Sequence, residues 1–306
     1  MNTNIMNTWD LPARKRVIVI GDCHGDLQRV VMCFYTAKII NSNFEWIAEP
    51  KDTLVVQVGD QVDSANRTPG VEPWEKVRDT ELCAFLQKVD LLGRQHGGGV
   101  MSLIGNHELL NKMENFAYVS PTSMELCHGT LNRVRMFAPN GIVGRILRKR
   151  PAVAKVGSLL FCHAGLLPKH LDIGHNISFI NMLLEKHMSG EPMGIQEQQL
   201  VHELFYDEDS ILWTRKFMEP PNPQIDVEIT NVLQRTNCMH MITGHNTVSN
   251  IVGMYDGKLW LVDAGLSRSY GGNQIQYLEV LDDGVPAPSN DFQPFRTVII
   301  TLNGGQ

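Results

Sequence analysis

Residues 17–26 read VIVIGDCHGD, and the fold is decided there. Val17 to Ile20 are four β-branched apolar residues in a row, the composition of a strand buried on both faces, and Gly21 then lets the backbone turn sharply. Asp22 and His24 follow. In extended chain, positions two apart project to the same side, so a carboxylate and an imidazole converge on one point beyond the strand's carboxyl end. A single Gly-Asp-x-His-Gly is either a metal-ligating corner or a polar turn, and only its setting in the rest of the chain separates the two.

The motif type recurs. Leu54 to Val58 is a second apolar run, stopping at Gly59 and delivering Asp60 and Asp63 in GDQVD. Val100 to Ile104 is a third, stopping at Gly105 ahead of Asn106, His107 and Glu108. Leu27 to Ile40 and Trp74 to Gln95 carry apolar residues at helical spacing, and Ala65 to Pro73, with Gly and two prolines, reads as a loop. Strand, loop and helix in alternation predict an α/β fold, in which ligands gather at the carboxyl ends of strands. Further along, Val153 to Cys162 reads as a strand or hairpin ahead of His163, and Met239 to Thr243 as a strand ending in Gly244 and His245. Leu259 to Val262 and Gln276 to Val280 read as strands, Ile177 to Leu184 and Glu197 to Phe205 as amphipathic helices. The expectation is a flexible segment over 1–15 and one catalytic domain over 16–306. In that domain a second sheet packs on the first, with helical accessory layers at about 112–150 and 170–235. The basic run Arg145 to Arg150 is read as a solvated face.

Composition narrows the function. A net charge of −6 argues against nucleic acid as the main partner, and 43% hydrophobic residues over 306 suffice for a large core. No apolar run reaches the ~18 residues of a membrane span, and MNTNIMNTWDLPARKR lacks the apolar centre of a signal peptide, so a cytoplasmic location without membrane contact is expected. The six cysteines form no CxxC pair and are read as reduced thiols, mostly in the core.

The polar residues at strand ends group themselves. Asp22, His24 and Asp60 suit one divalent ion, and Asp60 can bridge to a second held by Asn106, His163 and His245. Carboxylate, carboxamide and imidazole together favour manganese, iron or zinc over calcium. Two such ions form the clamp that hydrolyses phosphate esters, with a bridging hydroxide as the nucleophile. His107, beside a ligand, is placed as general acid to the leaving oxygen, with Asp63 orienting it.

GDCHG, GDQVD, GNHE, CHAG and GHN, in that order over residues 21–246, resemble the phosphoprotein phosphatase type of calcineurin-like metallophosphoesterases. GNHELLN, LWTR and VDAGLSRSYGG further resemble the Shewanella-like protein phosphatase branch. The resemblance implies an αββα sandwich of two mixed sheets flanked by helices, and two divalent metal ions, manganese first. It also implies hydrolysis of phosphomonoesters on serine, threonine or tyrosine of a protein or peptide partner. The family usually continues GDxVD with Arg-Gly, where the arginine grips phosphate; Ser64 and Ala65 stand there in this chain, and serine cannot replace a bidentate guanidinium. Arg215, in LWTR, is similar to the family's second phosphate-binding arginine; its alternative is a salt bridge to the Asp207 to Asp209 cluster. Arg67 is a further phosphate-binding candidate, and Tyr270 resembles a tyrosine lining the family's pocket. Two other functions compete: hydrolysis of diadenosine polyphosphates or another small phosphoester, and a catalytically silent phosphoprotein-binding module.

Overall fold

The computed structural model describes residues 9–64, 78–270, 274–284 and 294–301. Five strands form the first sheet, in the order β11 (Phe295–Thr301), β10 (Gln274–Leu281), β2 (Arg16–Ile20), β3 (Leu54–Gln57) and β4 (Gly99–Ser102). β2, β3 and β4 are parallel, while β10 and β11 run antiparallel to their neighbours. The second sheet has the order β1 (Asp10–Leu11), β5 (Val153–Val156), β6 (Leu159–Cys162), β7 (His240–Thr243), β9 (Leu259–Leu261) and β8 (Val252–Met254). β5 and β6 form the hairpin, and β6, β7 and β9 run parallel.

The two-residue alternation of the strands builds the layers. Val17 and Val19 face the second sheet, joining Leu54, Val56, Phe161 and Ile242 in the central core. Ile18 and Ile20 point the other way, into a core shared with α1 (Leu27–Thr36) and α2 (Asp79–Arg94). On the far side of the second sheet, Leu160, Cys162 and Met241 meet α7 (Pro168–Gly174), α8 (Ile177–Met188), α9 (Ile195–Phe205) and α10 (Pro223–Thr236). The result is four layers, helix, sheet, sheet, helix, as the αββα expectation required. Short helices α3 (Asn106–Lys112), α4 (Pro121–Leu126), α5 (Thr130–Phe137) and α6 (Gly144–Leu147) follow β4. All six cysteines are free and buried. Among the described residues no helix is long and apolar enough to cross a membrane.

Several details depart from the sequence reading. Asp10–Leu11, placed in a flexible N-terminal segment, pairs in parallel with Lys155 and Val156 as an edge strand. The helix expected from Trp74 starts at Asp79, whose carboxylate suits the first turn of α2; residues 65–77 lie outside the described part of the chain. Arg150 does not belong to a solvated face. It is buried three residues beyond buried Leu147 and reaches Gln61 and the Cys83 carbonyl. β1, β8 and β11 escaped sequence reading because two are very short and β11 half-exposes its apolar residues.

Candidate metal centre

The carboxyl ends of β2, β3, β4, β6 and β7 meet where the two sheets come together, and each delivers one or two polar side chains. The approach is close because the intervening residues are glycines. Gly59 has φ +108°, and a Cβ there would stand 2.6 Å from His163 Nδ1 and 2.9 Å from the Gly105 Cα. His24, Asp60, Asp63 and His245 all adopt positive φ (41°, 52°, 66° and 59°), conformations costly for residues other than glycine. They are held by what surrounds them. The Asp60 carbonyl accepts the N–H groups of Cys23 and His24 (2.9 and 3.0 Å), and the Asp22 carboxylate accepts the His245 N–H (3.1 Å) across 223 residues of sequence. Glu108 accepts four backbone N–H groups, from Asp60, Gln61, Val62 and Gly105, at 2.7–3.1 Å. One carboxylate thereby fixes the loop after β3 against the loop after β4.

Asp60 Oδ2 is the point of convergence. His163 Nε2 lies 3.4 Å from it, His107 Nε2 3.8 Å and His24 Nε2 3.9 Å. Donors sharing an ion at ~2.1 Å bonds can stand at most about 4.2 Å apart, so each distance suits a common cation. Two donor groups share this carboxylate: His24, Asp60 and His107 on one side, and Asp60, His163 and His245 on the other. The tautomers agree. The Val58 carbonyl can only accept, so His163 donates from Nδ1 (2.9 Å) and turns a lone pair on Nε2 toward Asn106 Oδ1 (2.9 Å) and Asp60. His245 donates from Nε2 to the Trp213 carbonyl (3.2 Å), leaving Nδ1 to ligate. Lone pairs facing one another in a buried site call for positive charge between them.

The ionisation of the site repeats that demand. Burial, and then the charges of Asp263 and Asp60, push the Asp22 carboxyl well above its ordinary value. Burial would raise Asp60 as well, but the imidazoles of His163 and His107 outweigh it and hold Asp60 well below the carboxylate range. His163 is pulled down by burial and raised beyond that by Asp60, so the ring draws a proton to where an ion would sit. His245 goes the other way, down to about 3, through burial and the charges of His163 and Arg215 against Asp60. The donor set and its charge fit divalent cations at the two groups that share Asp60, with Asp22 and Asn106 close to His163.

His107 stands beside this cluster with a different partner. Its Nδ1–H donates to Asp63 Oδ2 (2.7 Å), which leaves Nε2 facing the centre. Burial lowers this imidazole, yet Asp60 and the Asp63 hydrogen bond raise it further, for a net shift upward. Asp63 Oδ1 accepts from Asn111 (2.8 Å) and from Arg133 (3.1 Å), and the fully buried Arg133 also donates to Asn111 and to Asp79 (2.7 and 2.8 Å). Tyr118 sets its ring edge-on to His107 at 5.1 Å. Arg133, Asp79, Asn111 and Tyr118 were all missed by sequence reading. Arg133 sits in a short helix with no motif, and only the GNHELLN spacing, which sets Asn111 one turn beyond His107, offered a signal.

The phosphate-gripping candidates fare unevenly. Ser64 is buried against Ser269, with 2.9 Å between their hydroxyl oxygens. Arg215 is exposed, close enough for its charge to depress His245. Asp207 and Asp209 pair instead with His202 and Lys169 (2.7 and 3.7 Å), so the alternative salt bridge is absent among the described residues. Arg67 and the Tyr270 side chain lie outside the described residues; the Tyr270 backbone closes a one-turn 3-10 helix over Arg268–Tyr270. Arg268 in that turn clamps Asp26 (3.0 Å), tying the VDAGLSRSYGG segment to the loop after β2.

Comparison with known proteins agrees with the fold. The family model for calcineurin-like phosphoesterases matches residues 15–282. Shewanella-like protein phosphatase 2 of Arabidopsis thaliana is 26% identical, over 88% of this chain and 76% of its own. Shewanella-like protein phosphatase 1 of Plasmodium berghei is 27% identical, over 94% and 78%. Among solved structures, a cold-active protein tyrosine phosphatase of a psychrophilic Shewanella species superposes with a TM-score of 0.74 at 21% identity, covering 90% of this chain and 77% of that one. A protein serine/threonine phosphatase from Saccharomyces cerevisiae gives 0.56 at 16% identity, covering 98% and 85%.

Proposed function

The chain belongs to the calcineurin-like phosphoesterase family and is a hydrolase of phosphoesters; on that premise we propose that it is a binuclear metal-dependent protein phosphatase acting on phosphorylated serine, threonine or tyrosine. The observation that carries this reading is the convergence of three imidazoles, His24, His107 and His163, on one Asp60 oxygen, with His107 also bonded to Asp63. Divalent ions bound there, manganese first, would supply Lewis-acid polarisation of the phosphoryl oxygens and a more acidic water.

The chain's own residues do the rest. Asp22, His24, Asp60, Asn106, His163 and His245 would hold the ions, with the carbonyls of Val58 and Trp213 orienting His163 and His245 from behind. His107, kept protonated by Asp63, faces the centre through Nε2 and gives its proton to the leaving oxygen. Arg215 at the rim supplies positive charge for the phosphate's outer oxygens in the place where Ser64 offers none. The intact His107 and Asp63 pair speaks against the silent-module alternative.

A panel of phosphoserine, phosphothreonine and phosphotyrosine peptides, run beside diadenosine tetraphosphate with manganese-reconstituted protein, tests the reading. Phosphopeptide turnover that disappears in Asp60→Asn, together with a fall in bound metal, is expected. Preference for the nucleotide would transfer the assignment to small phosphoesters.

A further inference from the structure

A large groove lies away from the metal centre. It has a volume of about 1000 Å³, the upper end of the ~300–1,000 Å³ that small-ligand sites occupy, and it runs along β4 between α2 and α6. β4 is the edge of the first sheet. Gly99 and Leu103 donate their N–H groups inward, to the carbonyls of Thr53 and Gln57, so by the two-residue alternation Val100, Ser102 and Ile104 turn theirs outward. The Val100 N–H is taken by Asp90 (3.0 Å) and that of Ile104 by the Pro151 carbonyl (3.0 Å). The Ser102 N–H between them has no hydrogen-bond partner among the described residues, and the carbonyls of Val100 and Ser102 face the same side. A strand edge with open donors and acceptors therefore forms the groove's floor.

The walls give that floor a preference. Arg14, Arg94, Arg145, Lys149 and Arg150 line it against two carboxylates, Asp90 and Glu185. Arg94 pairs with Asp90, Lys149 with Glu185 and Arg14 with Asp52, and Arg150 is buried against Gln61, so the excess positive charge at the surface of the groove, in a chain whose net charge is −6, rests on Arg145. Arg145 is exposed and has no ion pair among the described residues. Leu91 and Ile142, 56% and 63% exposed, add apolar surface at the rim. Cations on an edge strand also serve to repel other strands, but that role does not require a cavity of this size or apolar shoulders.

We propose that this groove takes an extended, acidic peptide segment of a partner protein, which adds to β4 as a further strand of the first sheet. Backbone hydrogen bonds to Val100 and Ser102 hold the segment, alternate carboxylates meet Arg145 and Lys149, and the intervening apolar side chains rest on Leu91 and Ile142. The groove opens at Gly97 and Gly98, the amino end of β4, whereas Asn106 lies beyond its carboxyl end. A docked segment leaves the catalytic face open.

The test uses the full, metal-reconstituted chain and a fluorescein-labelled peptide of alternating glutamate and valine, followed by anisotropy at low salt. Three probes are compared: this peptide, its lysine-for-glutamate counterpart, and a version N-methylated at alternate backbone positions so that it cannot add as a strand. The acidic peptide is expected to bind at least about tenfold tighter than either control, a difference of ~1.4 kcal/mol. Arg145→Glu with Lys149→Glu should cost a further factor of about ten, with para-nitrophenyl phosphate hydrolysis unchanged; Arg145→Ala gives a milder second variant, expected to weaken binding less. Equal binding of the N-methylated or the lysine peptide overturns the proposal, as does wild-type affinity in both variants. Dimerisation of the chain that Arg145→Glu abolishes would assign the edge to a second copy and also overturn it.

Discussion

Beneath the candidate metal centre the donors are buried and the loops that carry them are tied together: Glu108 gathers four backbone N–H groups, Val58 orients His163, and Asp22 takes the His245 N–H. Above it, Arg215 stands exposed without an ion pair among the described residues, and Ser64 meets Ser269 and brings no charge. The floor is over-determined and the rim is sparse. A protein built this way keeps its chemistry fixed and leaves substrate recognition to few contacts, so substitutions in the two regions should separate in kcat and KM.

The largest effect should come from the floor. His107→Asn is expected to lower kcat by ~10²–10⁴-fold while the bound metal stays unchanged. The loss should be smaller on para-nitrophenyl phosphate, whose leaving group needs no proton, than on a phosphoserine peptide. The pH profile adds a sign. Asp60 and Asp63 outweigh burial and raise His107 above the ordinary histidine value, so the acid form persists upward and the rate falls as pH climbs through that raised value. Asp63→Asn removes one of the raising interactions, and the alkaline limb should move to lower pH. An alkaline limb that stays in place would show that the pair does not share the proton, and a His107 variant that loses metal would place the ring among the ligands.

This difference between floor and rim also explains what could be read from the chain. Asp22, Asp60, Asn106, His163 and His245 were legible because each follows an apolar strand that ends in a glycine or, for His163, in Cys162, and strand ends in such folds converge by topology. Glu108 stood out in the sequence only as the acid of GNHE and not as a clamp on four backbone groups, since loop conformation leaves no mark in composition. Arg133 was invisible. It lies 22 residues beyond Asn111 in a helix whose register depends on packing, yet it is fully buried and bonded to both Asp63 and Asp79. Arg150 was misread for a related reason: a run of cations reads as solvated unless the partner, Gln61 on a distant loop, is known.

At the rim the expected effect is smaller and falls on a different constant. A charge-assisted hydrogen bond contributes about 1.5–3 kcal/mol, so Arg215→Ala should raise KM for phosphopeptides by roughly tenfold or more while kcat changes less. Arg215→Lys, retaining charge without the planar fork, should fall between the two. Steady-state kinetics on one peptide decides it. A drop in kcat matching that of His107→Asn would mean that the guanidinium acts in the transition state, and the contrast between floor and rim would fail.

The last contrast concerns the histidines themselves and leaves catalysis aside. His163 and His107 are raised by carboxylates, whereas His170, in the helical layer beneath the segment that presents Arg215, is lowered by burial to about 4. His170 accepts the Leu167 N–H on Nδ1 (3.0 Å) and donates from Nε2 to the Asp209 carbonyl (2.8 Å), so the folded protein holds it neutral. Its value when unfolded is ~6.5, so between pH 6.5 and 4 the unfolded chain binds the extra proton. The stabilisation is complete above ~6.5 and is lost as pH falls toward 4, by about 3 kcal/mol at most. Urea midpoints at pH 7 and pH 5 should therefore differ more in the wild type than in His170→Gln, even though the variant starts weaker. Acid removes metal from both proteins alike, so the difference between their two pH responses isolates His170. Equal responses would mean that the ring is already protonated in the fold, and that the rim rests on a charged histidine as the floor does.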